Sequence, residues 1–275
     1  MARGKNINLF LMDGEPNGRI KCGIANWTGV AYKIPRTMLD KCADIKYLKQ
    51  SGVYFLLGRD ENENPTVYIG QAGIRKNKKS LLLRINEPHS RVDEWTEAIM
   101  LTTTNNSFGP TEISYLESRF CNMATEAKRY KVKNGNEPNP GNLTEEKECE
   151  MEEFIDNAKI LVGALGHSLF TPYITHDTDE PILNFAKPKI KARGQRTNEG
   201  FVVLKGSQIN PKTVRSCPEG AIKARKRYAD IIKDDILLEN IQFSSPSAAA
   251  AFVGGSSMSG NEFWKTSEGV ALKDL

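Results

Sequence analysis

The stretch from Gly52 to Gly70 constrains the fold of this chain most. It reads Gly52-Val53-Tyr54-Phe55-Leu56-Leu57, a polar loop over 58–65, then Thr66-Val67-Tyr68-Ile69-Gly70. Both apolar runs are rich in β-branched and aromatic residues, which suit a half-buried pleated surface. The loop is Gly58-Arg59-Asp60-Glu61-Asn62-Glu63-Asn64-Pro65, turn chemistry throughout. The pattern predicts an antiparallel hairpin that brings two phenols, Tyr54 and Tyr68, near each other.

The flanking segments predict further elements. Before the hairpin, 1–45 reads as a β-rich extension punctuated by Asp13-Gly14 and Asn17-Gly18, and Met38 to Lys49 as a short helix. After it comes a basic loop over 74–79. Ser80 is a suitable N-cap for a short helix carrying Arg84, which Pro88 ends, leaving His89 just beyond. Trp95 to Thr103 reads as a strand.

A longer helix follows Gly109-Pro110-Thr111, with Thr111 as an N-cap candidate. Its apolar stripe is Ile113, Leu116, Phe120, Met123, Ala124 and Ala127. Glu117 interrupts that stripe. A carboxylate there is costly without a partner, so either an arginine or a metal ion is expected beside it. A second helix from Glu145 buries Met151, Phe154, Ile155, Ala158, Leu161 and Leu165 and starts with an acidic, solvated first turn.

With 275 residues the chain can hold two domains. The expected division is an extension over 1–45, a domain over 46–170, a linker over 171–199 carrying Pro172, Pro181 and Pro188, and a small α+β domain over 200–275. The net charge is only +4, but 184–227 holds twelve Lys or Arg against two acids, Glu199 and Glu219. That distribution suits a phosphate-binding face as well as a solvated one.

Several classes are excluded. The five cysteines are widely spaced and offer no CxxC zinc pair. There is no phosphate-binding glycine loop, no HExxH and no nucleophile elbow. No apolar run approaches the ~18 residues of a membrane span, and no signal peptide is visible. A cytoplasmic protein without membrane contact is expected.

The ordered set Gly52-Val53-Tyr54, Tyr68-Ile69-Gly70, Arg84, His89, Glu117 and Asn134 resembles the GIY-YIG nuclease superfamily. The segment from Phe201 onward, with Phe243 to Ala250 and Phe263-Trp264-Lys265, looks like a domain of unknown function that often follows such modules in bacterial proteins. The resemblance implies an α+β fold with a three-stranded antiparallel sheet flanked by helices. It implies an endonuclease that hydrolyses DNA, RNA remaining open as a substrate and a homodimer as an assembly. It also implies one divalent metal, Mg²⁺ with Mn²⁺ as a substitute, held by Glu117.

Tyr54 or Tyr68 would then orient or deprotonate the attacking water, Tyr54 being favoured. Arg84 would clamp phosphate and lower the phenol's pKa, His89 would relay a proton or hold phosphate, and Asn134 would anchor the site's edge. The sequence departs from the family pattern in three ways: valine in the first tripeptide, a long loop between the tyrosines, and five residues from Arg84 to His89. Asn136 competes with Asn134, and Arg75 weakly with Arg84. A non-catalytic nucleic-acid-binding or regulatory protein on the same scaffold is the alternative.

Overall fold

The computed structural model describes residues 4–73, 80–87, 92–135, 138–174 and 180–275. The chain forms two compact units, Met1–Pro172 and Tyr173–Leu275.

In the first unit the predicted hairpin forms. Strand β4 (Gly52–Arg59) pairs antiparallel with β5 (Pro65–Ala72), with Tyr54 opposite Gly70 and Leu56 opposite Tyr68. Asp60 closes the turn by accepting from the N–H groups of Asn62 and Asn64, an Asx-type loop. Strand β6 (Trp95–Thr103) pairs with the other edge of β4. The three central strands are therefore antiparallel.

They do not stand alone as the expected three-stranded sheet. β1 (Ile7–Leu11), β2 (Ile20–Ile24) and β3 (Gly29–Pro35) join the same sheet, because β3 pairs with β6 along its full length. Two-residue β7 (Lys131–Val132) adds to β5 in parallel, giving seven strands in the order β1-β2-β3-β6-β4-β5-β7. The N-terminal stretch is thus a continuation of the central sheet. Its strands are short and punctuated by turns, which is why sequence reading separated them.

β4 is buried on both faces, which explains its unbroken apolar run. Val53, Phe55 and Leu57 point into a core shared with α2 (Pro110–Ala127) and α3 (Glu145–Ala164). Tyr54 and Leu56 point the other way, toward Leu48 and the short helix α1 (Leu81–Ile85). Both expected helical stripes are buried: Ile113, Leu116, Phe120 and Ala124 on α2, and Met151, Phe154, Ile155, Ala158 and Leu161 on α3. The N-cap of α2 is Gly109 rather than Thr111. The Gly109 N–H donates to Glu112 Oε2 at 3.1 Å, so the first-turn carboxylate satisfies the cap. The helix expected over Met38 to Lys49 is two short 3₁₀ segments, Arg36–Cys42 and Lys46–Lys49.

The second unit is built on a five-stranded antiparallel sheet in the order β13-β10-β9-β8-β14. Its strands are β8 (Leu183–Phe185), β9 (Arg193–Thr197), β10 (Gly200–Val203), β13 (Ile241–Phe243) and β14 (Trp264–Lys265). The linker expected over 171–199 is therefore shorter. Leu183, Phe185 and Ala192 alternate into the core of the second unit, a periodicity hidden by the prolines and lysines around them. Helix α4 spans Glu219–Arg227, and Ile232–Lys233 and Ile236–Leu237 form the small hairpin β11–β12. Helix α5 (Pro246–Gly254) has its N-terminus capped by Ser245, whose Oγ accepts from the Ala248 N–H. The last helix, α6 (Gly260–Phe263), leads into β14. Among the described residues, no helix is long and apolar enough to cross a membrane.

Candidate functional site

Four of the six expected site residues line one open cleft of about 350 Å³ in the first unit: Tyr54, Tyr68, Arg84 and Glu117. Each comes from a different element, β4, β5, α1 and α2. Gln71 and Glu87 complete the polar lining.

The hairpin register sets the two phenols. Their ring centroids lie 6.3 Å apart. A Cβ built at Gly70 would fall 2.5 Å from the Tyr54 hydroxyl, so the glycine opposite Tyr54 makes room for its ring. Gly70→Ala is expected to overpack this point, at a cost of about 1–3 kcal/mol. Urea unfolding would show a lowered midpoint, and an unchanged one would mean that the strand yields freely.

The Tyr54 hydroxyl is pushed well above its ordinary pKa. Burial is the main cause, the neighbouring Tyr68 adds to it, and Arg84 opposes it without reversing it. Arg84 thus pulls the phenol's pKa down as expected, but the net lowering expected from it does not follow. Tyr54 is wholly buried, and the cost of burying a phenolate outweighs one nearby cation. Tyr54 therefore stays protonated at neutral pH. Tyr68 is only half-buried in the same cleft.

Arg84 forms an ion pair with Glu87 three residues on, the spacing at which helical side chains meet. Glu117 accepts a hydrogen bond at 2.8 Å from Gln71 Nε2. Burial raises its pKa above the usual carboxylate range, while Gln71 and Arg84 pull in the opposite direction. The expected partner was an arginine or a metal ion, and the direct partner is a neutral amide. An ionised Glu117 thus holds a charge that no direct ion pair neutralises among the described residues.

Asn134 lies outside the cleft and acts on the edge of the sheet. Its Nδ2 donates to the Ile69 carbonyl at 2.7 Å, and its Oδ1 accepts from the Ile69 N–H at 3.1 Å. With β7 and the Lys133 N–H on Val67, this side chain extends the pairing along β5 as far as Ile69. The clamped residue, Ile69, follows Tyr68 of the cleft directly. His89, Arg75 and Asn136 lie outside the described residues.

The donor set fits Mg²⁺ in a restricted way. Among the described residues, no group of three or more His, Cys, Asp or Glu could hold a metal, so an all-protein cage is excluded there. Mg²⁺ keeps several waters and takes one or two carboxylates plus substrate phosphates. A single half-buried carboxylate in an open cleft matches that habit, and Glu117 would be the ligand.

Sequence reading missed Gln71 and Glu87. Gln71 could have been found from strand alternation, since it lies two residues beyond inward-facing Ile69. Glu87 could have been found from its spacing to Arg84.

Comparison with known proteins bears on the second unit. Residues 183–275 match a family model, Domain of unknown function (DUF4357). The match begins at β8, so the C-terminal domain starts before the boundary at 200 that the sequence suggested. No curated protein and no solved structure matches the chain.

Proposed function

We propose that the chain is a metal-dependent endonuclease of the GIY-YIG type that hydrolyses phosphodiester bonds in DNA at the cleft of the first unit. The observation that supports this reading is the convergence of Tyr54, Tyr68, Arg84 and Glu117, from four separate elements, on that cleft. Hydrolysis at phosphorus needs an oriented nucleophile, neutralisation of charge on the phosphate and assistance to the leaving oxygen.

Arg84 supplies a planar fork that can bind two phosphate oxygens. Glu87 holds that fork in the substrate-free state, and the incoming phosphate takes over its hydrogen bonds. Tyr54, kept protonated by burial, donates a hydrogen bond that orients water or a phosphate oxygen. Tyr68, more exposed, is the better placed of the two to serve as the base, its phenolate taking up the water's proton to give the phenol. This reverses the preference expected from sequence. Glu117 would hold the divalent cation, whose chemistry when bound is charge neutralisation at the phosphate. Gln71 fixes the orientation of that carboxylate, and Asn134 fixes the strand that carries Tyr68.

The test is cleavage of supercoiled, linear duplex and single-stranded DNA with Mg²⁺ or with chelator. The wild-type chain is expected to nick or cut at least one form only with the cation. Tyr68→Phe should lose on the order of 10²–10⁴-fold, the usual worth of a positioned acid or base, and Tyr54→Phe less. A larger loss for Tyr54→Phe would return the base role to Tyr54. Tight, salt-dependent binding without cleavage of any form would favour a non-catalytic binding protein.

A further inference from the structure

We propose that the exposed β14-β8-β9 end of the sheet in the C-terminal unit binds the phosphate backbone of DNA through a row formed by Arg193, Asn184 and Lys265. The choice of DNA as occupant rests on the activity proposed above, while the surface itself rests on the geometry of this unit.

The register builds the row. Asn184 on β8 pairs with Arg193 on β9 and with Lys265 on β14. Cross-strand partners project to one face. The neighbouring residues Leu183, Phe185, Ala192 and Trp264 lie in the core on the other face. Arg193 and Asn184 are exposed, and Lys265 is half-exposed. Adjacent strands lie ~4.8 Å apart, so the two cations stand on backbones about 10 Å apart with an amide between them.

Every group in the row can donate, and among the described residues neither cation is in an ion pair. The basic residues nearby that do find acids, Arg196 with Glu180 and Lys223 with Glu219, lie outside the row. Arg193 is also held rigidly at its backbone. Ser207, itself buried, accepts from the Arg193 N–H at 3.0 Å and donates to the Arg193 carbonyl at 3.1 Å. A row of donors that no carboxylate neutralises among the described residues complements a polyanion, and phosphate contacts require no apolar pocket. Asn184 and Arg193 also lie within 184–227, the segment with twelve Lys or Arg against two acids.

The experiment is fluorescence anisotropy of a labelled short duplex with the full-length chain, in a Glu117→Gln background so that cleavage does not interfere. Binding should weaken at least tenfold at about 0.1 M salt in the double variant Arg193→Glu/Lys265→Glu. The slope of log affinity against log salt should fall by about two, the loss of two phosphate contacts. Asn184→Asp, which leaves size unchanged and places a carboxylate mid-row, should weaken binding in the same direction. Lys223→Glu, the same kind of charge reversal on α4, should stay within twofold.

Wild-type affinity and slope in folded Arg193→Glu/Lys265→Glu and Asn184→Asp would overturn the proposal. So would a tenfold preference for RNA or for an acidic peptide over the duplex, which would assign a different occupant. A chain that cleaves DNA while the row variants bind normally refutes the surface alone. A chain that never cleaves yet loses binding through the row refutes the nuclease reading and leaves the surface standing.

Discussion

Glu117→Gln is expected to abolish cleavage while leaving DNA binding and folding intact. The loss should be on the order of 10²–10³-fold, as when one electrostatic stabiliser of a transition state is removed. The stability side follows from the carboxyl's raised pKa. An acid whose folded pKa lies above its unfolded value favours folding in its protonated form. Its burial therefore costs stability at neutral pH, and that cost vanishes as pH falls below the ordinary carboxylate range. Glutamine carries no charge to bury, and it keeps an oxygen that can accept from Gln71. The variant should unfold at the same temperature as the wild type at neutral pH, or higher. That is the trade expected where a residue is retained for function rather than stability. Wild-type activity should also fall on the acid side at a pH above the usual carboxylate range, because only the ionised form can hold a cation. Thermal unfolding at neutral and acid pH, with cleavage rates across the same range, checks both. A variant markedly less stable at neutral pH would show that Glu117 is structural.

Phe55→Ala is expected to cost about 3–5 kcal/mol, the usual range for a large-to-small change at a fully buried aromatic. Phe55 is wholly buried on β4, next to Tyr54 but on the opposite face. Its ring meets Phe120 of α2 edge-on at 5.1 Å and Phe170 at 5.5 Å. It therefore ties the hairpin to the helix that carries Glu117. A loss of this size is a large fraction of the ~5–15 kcal/mol that holds a typical domain folded. Chemical denaturation of the full chain measures it through the unfolding of the first unit. A loss below about 1 kcal/mol would mean that the aromatic cluster closes over the gap.

Much of the first unit was legible because its signals are local. The hairpin has turn residues where the chain reverses, and Trp95–Thr103 forms the strand that its pattern predicts. The stripes of α2 and α3 are continuous over several turns. Glu117 was legible as a candidate for a physical reason: a carboxylate on an apolar stripe needs an explanation. Its direct partner was not legible, because Gln71 reaches it across 46 positions of sequence. The same holds for the extent of the sheet. Pairing of β3 with β6 joins residues some seventy positions apart, and neither strand alone shows what lies beside it. The direction of the Tyr54 pKa shift is not legible in the sequence, because spacing shows a nearby cation but not the depth of burial. Strands β8 and β9 are hidden in the sequence because so brief an alternation does not stand out among prolines and lysines.

The central claim is that Tyr54, Tyr68, Arg84 and Glu117 act as one site. The most direct test is single-turnover cleavage of one labelled DNA by four forms of the chain: wild type, Arg84→Ala, Glu117→Gln and the double variant. Residues that act as a unit are strongly non-additive. The account predicts that the wild type cleaves with Mg²⁺, that each single variant loses most of its rate, and that the double variant is no slower than the slower single one. Cleavage by Glu117→Gln at the wild-type rate, or losses that simply multiply in the double variant, would contradict it.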